Sequence, residues 1–311
     1  MPAPTNTVTS TEMNIALDAE LVERFTHDYT RFAEILGIFA PEVMTAGTAL
    51  NQIKITGTLN NSKTDPSVDA EEGTVVLGES SGSAYVEGDL VALSKYQGEK
   101  VAVGEIKLQP YRRMTTAQAI ARSGYVQAVL NTDRKMLVDV QNQIMTSFFT
   151  FLGKGTGSAT GTTLQKALAK VDAELGDTLE DNNDATGAIV HFLNRQDVAD
   201  YLGDAEITLQ NAFGMTYLQN FLGVTNVFLT NKVTSGTMYA TPVENIHVYG
   251  TDFAALGSAG ITYQTDGTGL IGVAHTPRYD HVSAETNILC GALFFPEVKD
   301  YIVKGTIAPT A

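Results

Sequence analysis

The run Gly-Lys-Gly-Thr-Gly at 153–157 contains the residue types that hold phosphate groups in nucleotide-binding loops. Such a loop needs two glycines five positions apart, followed by Lys and Ser or Thr, at a strand-to-helix turn. Here Lys154 comes directly after the first glycine, and the residues before it have a helical pattern. The composition of 153–163 therefore predicts a flexible linker rather than a nucleotide site.

His275 and His281 flank a Pro-Arg-Tyr-Asp turn and are the closest pair of candidate metal ligands. Metal sites usually need three or four ligands, and no cysteine or acidic ligand pattern accompanies this pair. We therefore expect two ordinary histidines at strand ends. The acidic stretch 65–72 lacks the spacing and the distal Glu of an EF-hand, so we expect a solvated loop rather than a calcium site.

The single cysteine, Cys290, lies in the apolar stretch 288–293 without a neighbouring His or basic residue. One thiol cannot form an internal disulfide, which fits a reducing compartment. We interpret Cys290 as a small buried hydrophobic residue. The sequence also lacks the Gly-x-Ser-x-Gly elbow of many hydrolases. We therefore expect no catalytic, cofactor or metal site, and no enzymatic activity.

The chain has 311 residues, of which 20 are Lys or Arg and 35 are Asp or Glu, giving a formal net charge of -15. This acidity disfavours nucleic-acid binding through a basic surface and binding to anionic membranes. No apolar run approaches the roughly 18 residues that span a membrane. Residues 1–6 lack the basic and apolar regions of a signal peptide, so we expect no secretory signal. Hydrophobic residues make up 43%, enough for a sizeable core.

The elements that must position these residues fall into an extended part and a compact part. Residues 1–14 predict a flexible arm, and apolar steps of three and four predict a helix over 15–36 that Gly37 ends. Strand-like pieces at 50–59, 75–77, 84–86, 90–93 and 101–108 predict a long, mostly polar β-arm with too few large apolar residues for its own core. Such an arm is stable only if something else covers it.

The best helix pattern of the chain spans 125–152, with Asp133 on its apolar face, so we expect that face to be incompletely buried. Thr115 and Gln118 predict a capping box before it, and Gly153 predicts its end. Alternating helices and strands follow: a helix that Gly176 ends, and buried strands predicted at 188–193 and 224–229. From residue 260 onwards strands dominate, with strands predicted at 260–264, 269–275, 282–293 and 298–303. We therefore predict an α+β chain in which the extended arms precede a compact domain, as expected for a subunit of a larger lattice.

Several segments, in order along the chain, resemble the major capsid proteins of tailed bacteriophages. The first are Val-Glu-Gly-Asp at 86–89 with Ala-Leu-Ser-Lys at 92–95, the passage 107–120 and the helix 125–152. The segments 190–194, 197–203, 213–214, 217–223 and 239–246 resemble a subfamily from Gram-positive phages and prophages. The resemblance runs from residue 15 to residue 305.

The resemblance implies the Hong Kong 97-type capsid fold, an α+β fold with arms, a peripheral P-domain and an axial A-domain. Its parts would be an N-arm (1–45), a β-hairpin E-loop (50–108), a first part of the P-domain (109–155) with the spine helix at 125–152, an A-domain with a central sheet flanked by helices (156–255), and P-domain return strands with a C-terminal segment (256–311).

The resemblance also implies a function: self-assembly as hexamers and pentamers into the icosahedral head that encloses the double-stranded DNA of a tailed phage. We then expect the chain in the virion, and in the host cytoplasm during assembly, without a cofactor or a membrane. The expected partners are other copies, a portal, a maturation protease and a separate scaffold protein, unless a scaffolding extension was removed. The DNA would be enclosed without sequence-specific binding.

Lys95, Lys100, Arg112 and Arg113 are the candidate contacts with acidic residues of neighbouring subunits, although exposed ion pairs contribute little. Some family members crosslink a lysine to an asparagine, and Lys63, Lys95 or Lys100 could donate, but most of the family does without this bond. An encapsulin-like nanocompartment shell is the alternative with the same fold. A phage tail or adhesion protein would also be β-rich and acidic, but the spine helix disfavours it.

Overall fold

The computed structural model describes residues 18–19, 21–22, 37–58, 67–68, 75–76, 94–184, 187–204, 217–221, 224–265 and 268–308. The chain forms two units, one from Met1–Thr48 with Glu105–Ala311 and the other from Ala49–Gly104. The strands are β1 (Glu42–Met44), β2 (Ala49–Thr58), β3 (Ser67–Val68), β4 (Val75–Val76), β5 (Lys95–Glu105), β6 (Gln109–Thr116), β7 (Gly157–Gly161), β8 (Ile189–Asn194), β9 (Tyr217–Phe221), β10 (Val224–Thr230), β11 (Thr237–Pro242), β12 (Ile246–Thr251), β13 (Gln264–Thr265), β14 (Ile271–Arg278), β15 (Ser283–Cys290), β16 (Ala292–Pro296) and β17 (Val303–Ile307).

Among the described residues, fewer belong to helices than to strands. They are α1 (Ala117–Ser123), α2 (Asn131–Leu152), α3 (Leu164–Asp181), α4 (Arg195–Asp204) and α5 (Phe253–Ser258), with a π-helical turn at Val126–Leu130 and 3-10 turns at Val243–Asn245 and Lys299–Tyr301. Residues 18–19, 21–22 and 37–39 are also helical.

The described residues of the smaller unit form two thin sheets, β2 with β5 and β3 with β4. Along 49–57 and 95–105 every residue is half-buried or exposed. The predicted strand at 50–59 is confirmed as β2, and its lack of a core agrees with the polar composition. The strands predicted at 84–86 and 90–93 lie outside the described residues.

The six-stranded sheet of the larger unit has the order β7-β17-β11-β8-β10-β9. The central strand β8 contributes buried apolar side chains to both faces of the sheet. Successive side chains of a strand point to opposite faces, so neighbouring residues of β8 enter different cores. Phe192 joins the core beside α2, and Leu193 joins the core beneath α3. Helix α3 begins at Thr163, whose hydroxyl accepts from the Lys166 N–H at 3.3 Å. The expected linker region therefore leads into a packed, three-layered block.

Two predictions in this region were wrong. Helix α3 does not end at Gly176, because Leu179 continues its buried stripe and a glycine inside a helix costs only about 1 kcal/mol. The linker predicted at 153–163 contains strand β7, which pairs in parallel with β17. Its glycines allow close backbone approach: a Cβ at Gly155 would lie 2.4 Å from the Ile302 carbonyl oxygen.

The helix predicted at 125–152, which the resemblance identifies as the spine helix, is confirmed as a helix: it is α2, preceded by the π-helical turn and ended at Gly153. It packs between the sheets through side chains that recur at helical spacing. Phe148 lies at the centre, with ring centroids 5.3 Å from Phe149 and 5.9 Å from Phe192. The buried residues of α2 are Asp133, Leu137, Val140, Gln141, Ile144, Met145, Phe148, Phe149 and Leu152.

Two smaller sheets complete the larger unit, a four-stranded one of order β13-β14-β15-β6 and a three-stranded one of order β1-β12-β16. The strand predicted at 260–264 was wrong, because a turn after α5 ends at Gly260 and a loop follows up to Tyr263, so that only Gln264 belongs to a strand, β13. Gly37 does not end its helix; the turn continues to Phe39, and Ala40 takes the left-handed conformation with φ 40°. The N-cap of α1 is Thr116 rather than Thr115.

Candidate functional site

The four predicted contact residues lie on two different strands. Lys95 and Lys100 are exposed on β5, in the smaller unit. Arg112 is on β6 of the larger unit, with its side chain 64% exposed and its guanidinium 3.7 Å from Glu285. The structure therefore leaves Lys95, Lys100 and Arg112 at the surface of the chain.

Arg113 points the opposite way from Arg112, as alternation along β6 requires. Its guanidinium donates to Asp133 at 2.7 Å, to the Thr115 hydroxyl at 2.6 Å and to the Ala128 carbonyl at 2.7 Å. A fourth, longer hydrogen bond of 3.4 Å reaches the Val129 carbonyl. Arg113 therefore uses its donors within the chain, and its contribution is to join β6 to the start of the spine helix.

The strand register explains how this inward group is assembled. His275 on β14 lies opposite Thr286 on β15, and Thr286 lies opposite Arg113 on β6. Directly paired residues of antiparallel strands share a face, so these three form one row across the sheet. Asp133, in the first turn of α2, contacts this row of side chains. Its carboxylate accepts a hydrogen bond from Thr286 at 3.1 Å and lies 3.0 Å from His275 Nε2.

His275 also contacts the N-terminal part of the chain. Its Nδ1 forms a hydrogen bond with the carboxylate of Asp18, and its main-chain N–H donates to the same carboxylate at 3.4 Å. The side chains of His275, Asp18 and Asp133 are only 2%, 8% and 0% exposed. Burial by itself would lower the pKa of His275, but the hydrogen bonds and charges of Asp133 and Asp18 raise it to about 9.

This buried group corrects two sequence interpretations. His275 is not at a strand end, because β14 continues to Arg278; His281 does lie in the exposed turn beyond it. Asp133 is itself buried, so the apolar face of α2 is not exposed at this position as we expected. Arg113 and His275 compensate the charge of Asp133. One signal was available: alternation along β14 places His275 on the same face as the buried Val273. The partner residues, far apart in the chain, could not be read from such local patterns.

The second feature of functional interest is the exposed apolar surface of the smaller unit. Ile53 and Ile55, two positions apart on β2, are each 71% exposed, and Tyr96 on β5 is 59% exposed. Large apolar side chains grouped on an open ribbon mark interaction surfaces or aggregation hazards. In a single copy of the chain these side chains face solvent.

Metal-ligand groups and membrane-spanning helices can be looked for in the part of the chain that the structure describes. Among the described residues, no group of three or more His, Cys, Asp or Glu is placed to hold a metal ion. In the same part of the chain no helix is long and apolar enough to cross a membrane. The arrangement consists instead of an exposed ribbon and a compact unit with a buried charge network.

No protein-family model matches the sequence, and no curated protein sequence matches it. Solved structures do match in three dimensions. The capsid asymmetric unit of Cyanophage A-1(L) is 13% identical, with a TM-score of 0.54 over 89% of this chain and 93% of that chain. A chain of Mycobacterium phage Che8 is 12% identical, with a TM-score of 0.51 over 88% and 89%.

The holo-SrpI encapsulin complex from Synechococcus elongatus PCC 7942 gives a TM-score of 0.51 at 6% identity, over 88% of both chains. At these identities the similarity concerns the fold. The shared architecture extends over most of this chain and most of each matched chain. The chain described here therefore has the Hong Kong 97-type capsid fold.

Proposed function

We propose that this chain is the major capsid protein of a tailed bacteriophage and assembles as hexamers and pentamers into an icosahedral head around double-stranded DNA. The observation that carries the proposal is the ribbon of β2 and β5, whose residues at 49–57 and 95–105 are all half-buried or exposed. A two-stranded ribbon is at best marginally stable in water. A neighbouring copy in a shell would supply the missing cover.

The physical mechanism is burial repeated at many contacts. Covering Ile53, Ile55 and Tyr96 would contribute about 25 cal/mol for each Å² of apolar surface removed from water. One such contact is weak, but every subunit of a closed shell both gives and receives an arm. The linked contacts then act together, because each new contact forms at a high effective concentration.

Electrostatics supports a role for the exposed basic residues. With a net charge of -15, two copies repel each other over most approaches. The described part of the ribbon carries Lys54, Lys95 and Lys100 against Glu99 and Glu105, so its exposed lysines can pair with acidic side chains of a neighbour. We keep Lys95, Lys100 and Arg112 as candidate contacts between subunits. Each exposed pair would contribute about 0–1 kcal/mol, so their role is orientation rather than affinity.

The resemblance of the sequence segments extends the proposal to partners and place. The chain would act with a separate scaffold protein, a portal and a maturation protease, and would reside in the virion after assembly in the host cytoplasm. Its role would be structural rather than enzymatic. The segments within 190–246 favour the subfamily of Gram-positive phages and prophages.

The proposal can be tested with the full chain by negative-stain electron microscopy and light scattering, with and without a co-expressed scaffold. We expect closed shells, or hexamer and pentamer rings. Ile55→Asp should prevent assembly without altering the circular dichroism of the subunit, because Ile55 has no core contact to lose. The matched control is Thr56→Asp, which places the same charge on the opposite face of β2. A parent chain that stays monomeric in both conditions, or normal assembly of both variants, would contradict the proposal.

An encapsulin-like nanocompartment is the second candidate, favoured by the similarity to the Synechococcus encapsulin. Both functions require shells, so assembly alone does not separate them. The contents of shells purified from the native source do: packaged double-stranded DNA supports the phage head, and an enclosed enzyme supports the nanocompartment. Neighbouring genes give an independent answer, since terminase and portal genes accompany a phage capsid gene.

A further inference from the structure

The ring of His275 joins two carboxylates that come from distant parts of the chain. Nδ1 contacts Asp18, next to the helical residues Leu21 and Val22, and Nε2 contacts Asp133 on α2. A carboxylate can only accept hydrogen bonds, and a neutral imidazole carries a single N–H. Only the protonated ring can donate to Asp18 and Asp133 at the same time.

Among the described residues, the charges around the ring balance only when the ring is protonated. In the part of the chain that the structure describes, the polar groups of this cluster are Asp18, Asp133 with its partner Arg113, the hydroxyl of Thr286, and Tyr125. With His275 protonated, two positive charges meet two negative ones. Loss of its proton would leave one buried carboxylate without compensation, which is strongly unfavourable in a buried site.

The two carboxylates are not held equally. Asp133 also accepts from Arg113 at 2.7 Å and from Thr286 at 3.1 Å, so it keeps partners when His275 is neutral. In the part of the chain that the structure describes, Asp18 is held through His275, by the ring and by the main-chain N–H. The contact with Asp18 is therefore the one that would open first.

We propose that protonated His275 is a latch that fixes the helical residues 18–19 and 21–22 against α2 and β14, and that loss of this proton releases them while the rest of the unit stays folded. The buried apolar neighbours Leu21 and Val22 belong to the segment that the latch secures. This latch is independent of whether the chain builds a phage head or a nanocompartment.

The pH range follows from the direction of the shift. The hydrogen bonds and charges raise the pKa of His275 from 6.5 to about 9, although burial opposes them. A group whose pKa is raised by folding stabilises the folded state fully below its unfolded pKa, and that stabilisation is lost as pH rises through the folded pKa. The latch is thus closed at neutral pH and opens around pH 9. Burial and the two carboxylates raise the pKa of Tyr125, so tyrosine ionisation does not account for an opening there.

A fluorophore attached through Ala19→Cys reports on the segment directly, because Ala19 is exposed and adjoins Asp18. The native Cys290 is buried and should not compete for the label. We expect the fluorescence anisotropy of the labelled full chain to fall with a midpoint near pH 9, while far-UV circular dichroism stays constant. In the His275→Gln background the anisotropy should be low throughout pH 6–10. His281→Gln, which changes the exposed histidine of the same hairpin, should behave like the parent.

Asp18→Asn gives a second test if His275→Gln fails to fold, because it alters only the N-terminal side of the latch. It should lower the anisotropy at neutral pH with an unchanged circular dichroism spectrum. Constant anisotropy up to pH 10, a fall that coincides with global unfolding, or an unchanged transition in His275→Gln would each overturn the proposal.

Discussion

Arg113 on β6 donates to Asp133 on α2 across 2.7 Å, and this ion pair ties the four-stranded sheet to the start of the spine helix. The same guanidinium reaches the Ala128 carbonyl in the π-helical turn, which also accepts from Thr132 at 2.8 Å. A π-helical turn departs from the regular hydrogen-bond ladder of an α-helix. Side-chain donors therefore support the backbone where the helix begins irregularly.

Replacing Asp133 should be costly. Asp133→Asn removes the negative charge between Arg113 and His275, and breaking a buried pair from one side costs about 3–5 kcal/mol. Urea denaturation followed by circular dichroism would measure the loss in the free energy of unfolding. Asp139→Asn is the matched control on the same helix, since the pair of Asp139 with Lys135 is exposed and should contribute less than about 0.5 kcal/mol. Equal effects of the two substitutions would contradict the assigned role.

Two glycines should respond in opposite ways to the same substitution. A Cβ at Gly161 would lie 2.2 Å from the Ala167 nitrogen, so Gly161→Ala should destabilise the chain by about 1–3 kcal/mol. Gly176 lies inside α3 with open space around the position of its missing Cβ, so Gly176→Ala should stabilise by up to about 1 kcal/mol. Thermal unfolding would compare both variants with the parent. Destabilisation by Gly176→Ala would show that the helix requires a glycine there.

Phe148 should be the most sensitive aromatic residue of the core. Its ring meets Phe39, Phe192 and Phe294 at centroid distances of 5.7, 5.9 and 5.4 Å. Phe148→Ala should therefore cost about 3–5 kcal/mol, measured by urea denaturation of the unassembled chain. Tyr279→Ala serves as the control, because Tyr279 is exposed in the β14–β15 turn and its loss should change stability by less than about 0.5 kcal/mol.

The thiol of Cys290 should be unreactive in the folded chain. Burial raises the pKa of Cys290 to about 11, so the thiol stays protonated at pH 8. Only the thiolate attacks a disulfide reagent, and the reaction should be at least about 100-fold slower than in guanidinium chloride. Absorbance of the released aromatic thiolate would follow both reactions. Comparable rates in the two solutions would mean that β15 opens readily.

The sequence predicted those helices and strands in which apolar residues recur at regular helix or strand spacing. Helix α2 and strands β2, β8 and β10 were predicted within a few residues, because their apolar spacing records which face is buried. Strand β7 was missed, since Gly-Ser-Ala-Thr-Gly has no large apolar side chain and is a strand only where β17 pairs with it. Its conformation is decided by a distant partner.

The buried group around His275 likewise depends on residues far apart in the chain, so local sequence patterns did not predict it. The sequence identified Arg112 and Arg113 as equivalent surface residues, but alternation along β6 separates them and turns Arg113 inward. Recognising the partnership of Arg113, Asp133 and His275 requires the register of β6, β15 and β14, which no local pattern contains. The exposed ribbon, in contrast, was predictable from composition, because a segment with few large apolar residues cannot cover itself.

The position of β17 between β7 and β11 has a consequence for synthesis on the ribosome. Residues 303–307 are made long after both neighbouring strands, so β7 and β11 wait with open edges while the chain is still growing. Open edges in a cell crowded with identical nascent chains invite wrong pairing. Completion of the six-stranded sheet therefore has to wait for β17, which leaves the ribosome only after nearly the entire described chain. A stop codon before residue 303 would split the sheet at an interior position instead of trimming its border.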